Sequence, residues 1–224
     1  MKAIVQDLIK SVTRLVLRTR VGRFIGDYAL QAAIGQTAAV THGGLQLIFA
    51  VPNGLNRMRI DTFSTKEPET LEWIDTIPSN AVFWDVGANI GLYSCYAARA
   101  RKCRTFAFEP SVYNLELLAR NIYLNHLTET VTIVPLPLSE KLEINTLRMS
   151  TTDWGGALST FGRNFGQDGQ PLSKVFEVRT VGLSMADVVK RLESLAEQAR
   201  EDLGDSATKR TGKNVRPAGQ LGGQ

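Results

Sequence analysis

Residues 82–94 read VFWDVGANIGLYS, and the fold of the chain turns on how they are understood. An apolar run of strand composition, Val82 to Trp84, leads into Asp85; Gly87 and Gly91 follow, and an apolar segment of helical spacing begins. In open α/β sheets ligands gather at the carboxyl ends of the strands, and Asp85 stands at such an end. Glycines just beyond it let the backbone turn tightly and approach a ligand without Cβ clashes. Their pattern is G-x-x-x-G. It is neither the G-x-G-x-x-G of dinucleotide folds nor followed by the G-K-[ST] of a phosphate loop, so a ligand without phosphates is expected.

Working outward, RTFAFEP at 104–110 ends its apolar run in Glu109, 18 residues after Gly91. A carboxylate at the end of the second strand can accept hydrogen bonds from both ribose hydroxyls. A glycine bend, a ribose-binding acid and a helix start together describe a nucleoside site. The surrounding rhythm predicts a strand over 81–86, a helix over 90–100, a strand over 104–109, a helix over 111–125 with Ser111 as N-cap, and a third strand over 131–135. Strands and helices alternating at this length imply an α/β fold with a parallel sheet.

Further out the signals are weaker. LQLIFAVPNGLNRMRIDTF, at 45–63, predicts two short strands around a turn at Pro52–Gly54. TKEPETLEWIDTI, at 65–77, predicts a helix with Pro68 in its first position and Glu67, Glu69 and Glu72 near its positive end. Segments 141–149 and 174–181 read as additional strands, separated by the glycine-rich WGGALSTFGRNFGQDGQP.

At 224 residues, 43% hydrophobic and 21% charged, the chain suits one soluble domain with appendages. The formal net charge of +4 resides at the ends. Residues 1–25 carry six basic and one acidic side chain, residues 190–224 seven and five, and the stretch between them thirteen and sixteen. A nucleic-acid enzyme needs its positive surface around its site, so no nucleic-acid partner is expected. Cys95 and Cys103 offer neither a disulfide framework nor zinc spacing, so the two read as buried thiols, no metal site is expected, and a cytoplasmic setting is the default.

The opening MKAIVQDLIKSVTRLVLRTR is a helix by period, with Ile4, Val5, Leu8, Ile9, Val12, Leu15 and Val16 on one face and Lys10, Arg14 and Arg18 on the other. Its charges interrupt any secretory apolar core, and no stretch of about 18 apolar residues occurs. The expectation is a helix packed on its own domain with solvated arginines; peripheral contact with an anionic membrane is the lesser alternative. Residues 190–224 contain no aromatic residue, and a short charged helix near 186–200 followed by a disordered tail is expected.

DVGANIGLYS, FAFEPSVYNLELLARNIYLN and VTIVPLPLSE, in that order, resemble the FkbM family of S-adenosylmethionine-dependent methyltransferases, as do TFSTKEPETLEWID upstream and GGALSTFG downstream. The resemblance spans roughly residues 45–188. It implies a Rossmann-like class I methyltransferase fold, S-adenosyl-L-methionine as cofactor, and O-methylation of a hydroxyl on a small molecule, a sugar, a glycan or a secondary metabolite. By position it implies Asp85, Gly87, Asn89 and Gly91 on the methionine side of the cofactor, Glu109 at its ribose, and Glu67 and Thr70 over the pocket. It names no catalytic base. His126, after NIYLN, is better suited to a helix C-terminus at the surface.

The resemblance stops after LSMADVV. The family continues there into a strand patterned like K-I-D-V-E-G and several more, whereas this chain continues RLESLAEQAREDLGDSATKRTGKNVRPAGQ. The expected organisation is a helical extension over 1–44, the first part of a methyltransferase-like domain over 45–189, and a charged tail over 190–224. The parallel sheet is expected to be incomplete, leaving the strand of Asp85 at an edge with unpaired backbone groups. Two functions follow as expectations: an O-methyltransferase of this type, or a non-catalytic remnant of one. A nucleic-acid methyltransferase is disfavoured because no Pro-Pro loop and no Pro-Cys pair is present, and a nicotinamide oxidoreductase because of the glycine spacing.

Overall fold

The computed structural model describes residues 2–166, 169–171, 176–191 and 194. Its centre is a parallel sheet in the order β3-β4-β5, made of β3 (Val82–Val86), β4 (Arg104–Phe108) and β5 (Val131–Val134). α6 (Leu92–Arg101) links the first pair and α7 (Val112–Leu124) the second. The register places Asp85 beside Ala107 and Phe106 beside Thr132. The βαβαβ rhythm expected from 81–135 is present, with ends moved by a residue or two. Phe83, Ala107, Leu117, Leu118, Ile122 and Val131 form part of one buried apolar cluster, so the helices bury their apolar sides against the sheet.

A hairpin precedes this unit. β1 (Thr37–His42) pairs antiparallel with β2 (Leu45–Ala50) across Gly43 and Gly44, both at positive φ, the backbone that a tight two-residue hairpin turn demands. A boundary at 44/45 therefore cuts through a paired hairpin. The free side of β2 is satisfied by side-chain amides from α7 and from its C-cap. Asn125 Oδ1 accepts from Ile48 N at 2.9 Å, and Asn121 Oδ1 accepts from Ala50 N at 2.8 Å. Asn121 Nδ2 also donates to Ile90 O at 2.8 Å, tying the hairpin to the glycine bend.

The second strand expected within 45–63 is instead a helix, α3 (Gly54–Asp61). Asn53 is its N-cap: the backbone is extended and Oδ1 accepts from Asn56 N at 2.9 Å, which starts a helix where a turn was expected. Asn56 and Ile60, one turn apart, face inward. A short α4 (Phe63–Lys66) and α5 (Pro68–Thr76) follow, with Pro68 at the helix start as expected.

Beyond β5, a second sheet runs in the order β6-β9-β7-β8, comprising β6 (Leu138–Ser139), β7 (Glu143–Met149), β8 (Thr160–Phe161) and β9 (Phe176–Ser184). β7 and β9 are antiparallel partners from Glu143↔Gly182 to Met149↔Phe176. Residues 185–191 are helical; the remainder of the expected charged helix and the expected tail lie outside the described residues. Among the described residues β3 has β4 as its sole strand partner, and Val82 and Val86 are 56% and 58% exposed. Asp85 thus lies on an edge strand.

The residues before the hairpin depart furthest from expectation. They form two helices, α1 (Lys2–Val16) and α2 (Arg20–Ile34), and α1 does not pack on the domain: its large apolar side chains from Ile4 to Val16 are 46–75% exposed. Val21, Phe24, Ile25, Tyr28 and Leu30 of α2 are exposed as well. The corner between the helices is closely built. Thr19 Oγ1 donates to Val16 O and accepts from Gly22 N, each at 2.9 Å, and a Cβ on Gly22 would lie 1.9 Å from Val16 O. Cys95 and Cys103 are buried free thiols as expected, and burial pushes Cys95 up to about 12.

Candidate functional site

β3 and β4 end side by side, and the turns that leave them make the floor of a cleft. Gly87 N and Ala88 N both donate to Phe108 O, at 2.9 and 3.0 Å, so the bend is fixed to the neighbouring strand end. Gly87 holds φ +83 and a Cβ there would meet nothing within 4 Å; the backbone is open toward the cleft. Asn89, also at positive φ, aims its backbone N–H at Glu109 Oε2, 2.7 Å away.

Glu109 is 4% exposed. Its Oε1 accepts from Ser111 N at 2.8 Å, so each carboxylate oxygen is held by one backbone N–H and keeps lone-pair capacity for a ligand donor. Burial pushes its pKa above the ordinary carboxylate value, with the N–H groups of Ser111 and Asn89 pulling the other way. Asp85 is likewise buried and raised, chiefly by desolvation, against the opposing hydrogen bond from Ser94 Oγ to its Oδ2 at 2.6 Å. Two desolvated carboxylates one strand apart make a region that favours a cation.

Two cavities flank the bend. The first, about 340 Å³, is bounded by Gly87, Asn89, Glu109 and Pro110 on one side and by Leu138, Leu147 and Phe161 on the other. The second, about 450 Å³, is bounded by Asp85, Gly87, Asn89, Glu67, Thr70 and Tyr93, together with Arg59 and Lys66. Val86, Gly87, Asn89 and Ala157 line both. Tyr93 Oη donates to Glu67 Oε2 at 2.9 Å, and burial together with this carboxylate pushes the phenol well above its ordinary value.

Six of the seven expected residues therefore meet at this cleft: Glu109 in the first cavity, Asp85, Glu67 and Thr70 in the second, and Gly87 and Asn89 in both. Gly91 lines neither. At φ +83 it starts α6, and a Cβ there would lie 2.4 Å from Leu118 Cδ1, so its lack of a side chain serves the packing of the bend on α7. Neither histidine lines either cavity, and His126 lies exposed just past α7. Among the described residues no group of three His, Cys, Asp or Glu side chains is arranged to hold a metal.

Ala157 stands in the wall shared by the two cavities and Gly156 lines the first; both belong to a braced segment, Trp154 to Ala157, whose part in the site the sequence does not reveal. Three successive carbonyls each receive two side-chain donations. Trp154 O accepts from Asn53 Nδ2 at 3.0 Å and Asn56 Nδ2 at 2.9 Å. Gly155 O accepts from Arg59 Nε at 3.0 Å and Nη2 at 2.7 Å. Gly156 O accepts from Asn89 Nδ2 at 2.7 Å and Asn114 Nδ2 at 3.0 Å. Gly155 sits at φ +83, with Asn56 Oδ1 2.2 Å from the position of a Cβ. The Gly-Gly pair was the available signal; the four asparagines that grip the segment come from three separate places in the chain.

No family model matches the chain. A curated methyltransferase, sdnD of Sordaria araneosa, is 43% identical over 53 residues, which is 23% of this chain and 20% of that protein. Among solved structures, TYW2 of M. jannaschii in complex with AdoMet aligns at 21% identity and TM-score 0.34, covering 44% of this chain and 42% of its own. A SAM-dependent methyltransferase from Agrobacterium tumefaciens aligns at 16% identity and TM-score 0.34, covering 45% and 32%. Methyltransferase FkbM from Methylobacillus flagellatus KT aligns at 18% identity and TM-score 0.28, covering 55% and 35%. The chain thus spans a fifth of that curated relative and less than half of each of these structures.

Proposed function

We propose that the cleft beside Gly87 binds S-adenosyl-L-methionine and that the chain carries the cofactor half of an O-methyltransferase of FkbM type. The acceptor would be a hydroxyl on a sugar, a glycan or a secondary metabolite. The observation that carries this reading is Glu109: a buried carboxylate, each oxygen oriented by a backbone N–H, lining the same cavity as a glycine with open space at its Cβ position. Such a group suits ribose hydroxyls, which are paired donors. The local likeness to a curated methyltransferase supports it.

The residues present fit the cofactor. It is a nucleoside without phosphates bearing a sulfonium cation, and the cleft offers open backbone at Gly87, carboxylates on both sides of the bend and, among the described residues, no phosphate loop. Bound there, it supplies an electrophilic methyl group. Glu109 would orient the ribose through its remaining lone pairs. Asp85 and Glu67 would line the side that receives the cationic end, with Thr70 and Tyr93 closing over it. Arg59, although it lines the second cavity, already gives two N–H groups to Gly155 O, so it braces the segment that leads to Ala157. In a displacement of this kind the protein mainly aligns the reacting groups and excludes water, and rigidity of the 154–157 wall serves both.

Calorimetric titration of the folded chain with S-adenosylhomocysteine tests the reading. Saturable heat with one site is expected, weakened at least about tenfold in Glu109→Ala, since a charged hydrogen bond contributes about 1.5–3 kcal/mol. A folded chain that takes up no S-adenosylhomocysteine would show the second reading to be right, a non-catalytic remnant. The exposed edge of β3 favours that one.

A further inference from the structure

We infer that α1 and the corner joining it to α2 form an interfacial anchor for an anionic lipid bilayer. The apolar residues of α1 fall on one continuous face. Val5, Leu8 and Val12 form its middle, Ile4 and Leu15 widen it on one side and Ile9 and Val16 on the other, and every one of them is exposed. That stripe is broader than the two-position seam by which one helix pairs with another in water. It suits a surface that receives the helix along its whole length.

The charge around this face selects the surface. Lys10 and Arg14 stand on the opposite side of α1, and Arg18, Arg20 and Arg23 crowd the corner, with Asp7 the sole acidic residue among the first 25. Among the described residues none of these five cations takes part in an ion pair. A second copy of the chain would bring the same positive corner against itself, whereas anionic headgroups would neutralise it. No described helix is long and apolar enough to cross a membrane, so the helix lies in the interface, apolar face in the acyl boundary and basic face among the headgroups. Past the tight corner at Thr19 and Gly22, Val21, Phe24 and Ile25 add further exposed apolar side chains.

Co-sedimentation of the full chain with vesicles tests this without reference to the cleft. The chain is expected to pellet with mixed phosphatidylcholine–phosphatidylglycerol vesicles, to bind pure phosphatidylcholine far less, and to be partly released by salt. Arg14→Glu with Arg18→Glu should weaken anionic binding by more than about tenfold, from about fivefold per lost cation, and Leu8→Glu with Val12→Glu should abolish it. Because these side chains are exposed, both variants should keep the wild-type melting temperature and the wild-type response to S-adenosylhomocysteine. Failure of the wild-type chain to pellet with anionic vesicles would overturn the inference. So would equal binding by the Leu8→Glu, Val12→Glu variant. Sedimentation showing a dimer that this variant dissociates, with no vesicle binding, would instead assign the face to self-association.

Discussion

α1 and α6 differ in a way that reverses what their sequences suggest. α1 has a clean apolar face and a polar back, yet its apolar residues stand in solvent. α6, LYSCYAARAR, has little such asymmetry, and Ser94 through Ala98 are all buried. A helix face says that a partner is needed; the chain's own topology decides whether that partner is internal. α6 is trapped between β3 and β4, two strands whose parallel register forces the crossover onto the sheet. α1 is joined to the rest through α2 and a corner, and nothing in that connection requires it to fold back.

The contrast predicts intolerance in one region and indifference in the other. The largest effect should come from Gly91→Val. A β-branched residue at φ +83, with Leu118 Cδ1 already 2.4 Å from the new Cβ, combines backbone strain with overpacking and should cost about 3–5 kcal/mol in chemical denaturation. Gly155→Ala comes next, at about 1–3 kcal/mol from the same backbone penalty and the clash with Asn56. It should also weaken S-adenosylhomocysteine more than it lowers stability, because the wall between the cavities shifts. A wild-type melting temperature for either variant would break the comparison.

Asp85→Asn should act in the opposite sense. Burial raises the pKa of Asp85 in the native state, so the protonated form is the one the fold prefers. Its contribution to stability is full below the ordinary carboxylate range and is lost as pH rises through the raised native value. The amide removes that loss, and Ser94 can still donate to its oxygen. The variant should therefore melt above wild type at neutral pH, with the gap closing in acid, while binding the cofactor less well. Thermal scans across pH check the sign; a variant less stable than wild type at neutral pH would contradict it. Smallest of all, Leu8→Gln in α1 should change stability by less than about 0.5 kcal/mol, measured by the same denaturation.

The unit from 81 to 135 was legible because strand and helix periods alternate cleanly and Gly87, Gly91 and Glu109 punctuate it. Glu67 and Thr70, which line the second cavity, were suggested only by the resemblance; Pro68 announces the start of α5 and nothing about which of its neighbours face the cleft. α3 was not legible: Pro52-Asn53-Gly54 reads as a turn, and that Asn53 caps a helix shows only when its side chain is seen on Asn56 N. The 154–157 wall was opaque for another reason. Asn53, Asn56, Asn89 and Asn114 reach it from 42 to 101 residues away, and long-range polar contacts leave no period in a sequence. The resemblance places Gly91 beside the cofactor, whereas Leu118 packs where its side chain would stand, a contact between distant residues that no local pattern announces.

Whether Glu109 recognises a ribose is best tested by a double-mutant cycle on the ligand and the protein together. S-adenosylhomocysteine and its analogue lacking both ribose hydroxyls are titrated into the wild-type chain and into Glu109→Gln. A coupling of about 1–3 kcal/mol between the hydroxyls and the carboxylate is expected. Equal losses for the hydroxyl-free analogue in both proteins would mean that Glu109 does not touch the sugar, and the nucleoside site would have to be abandoned.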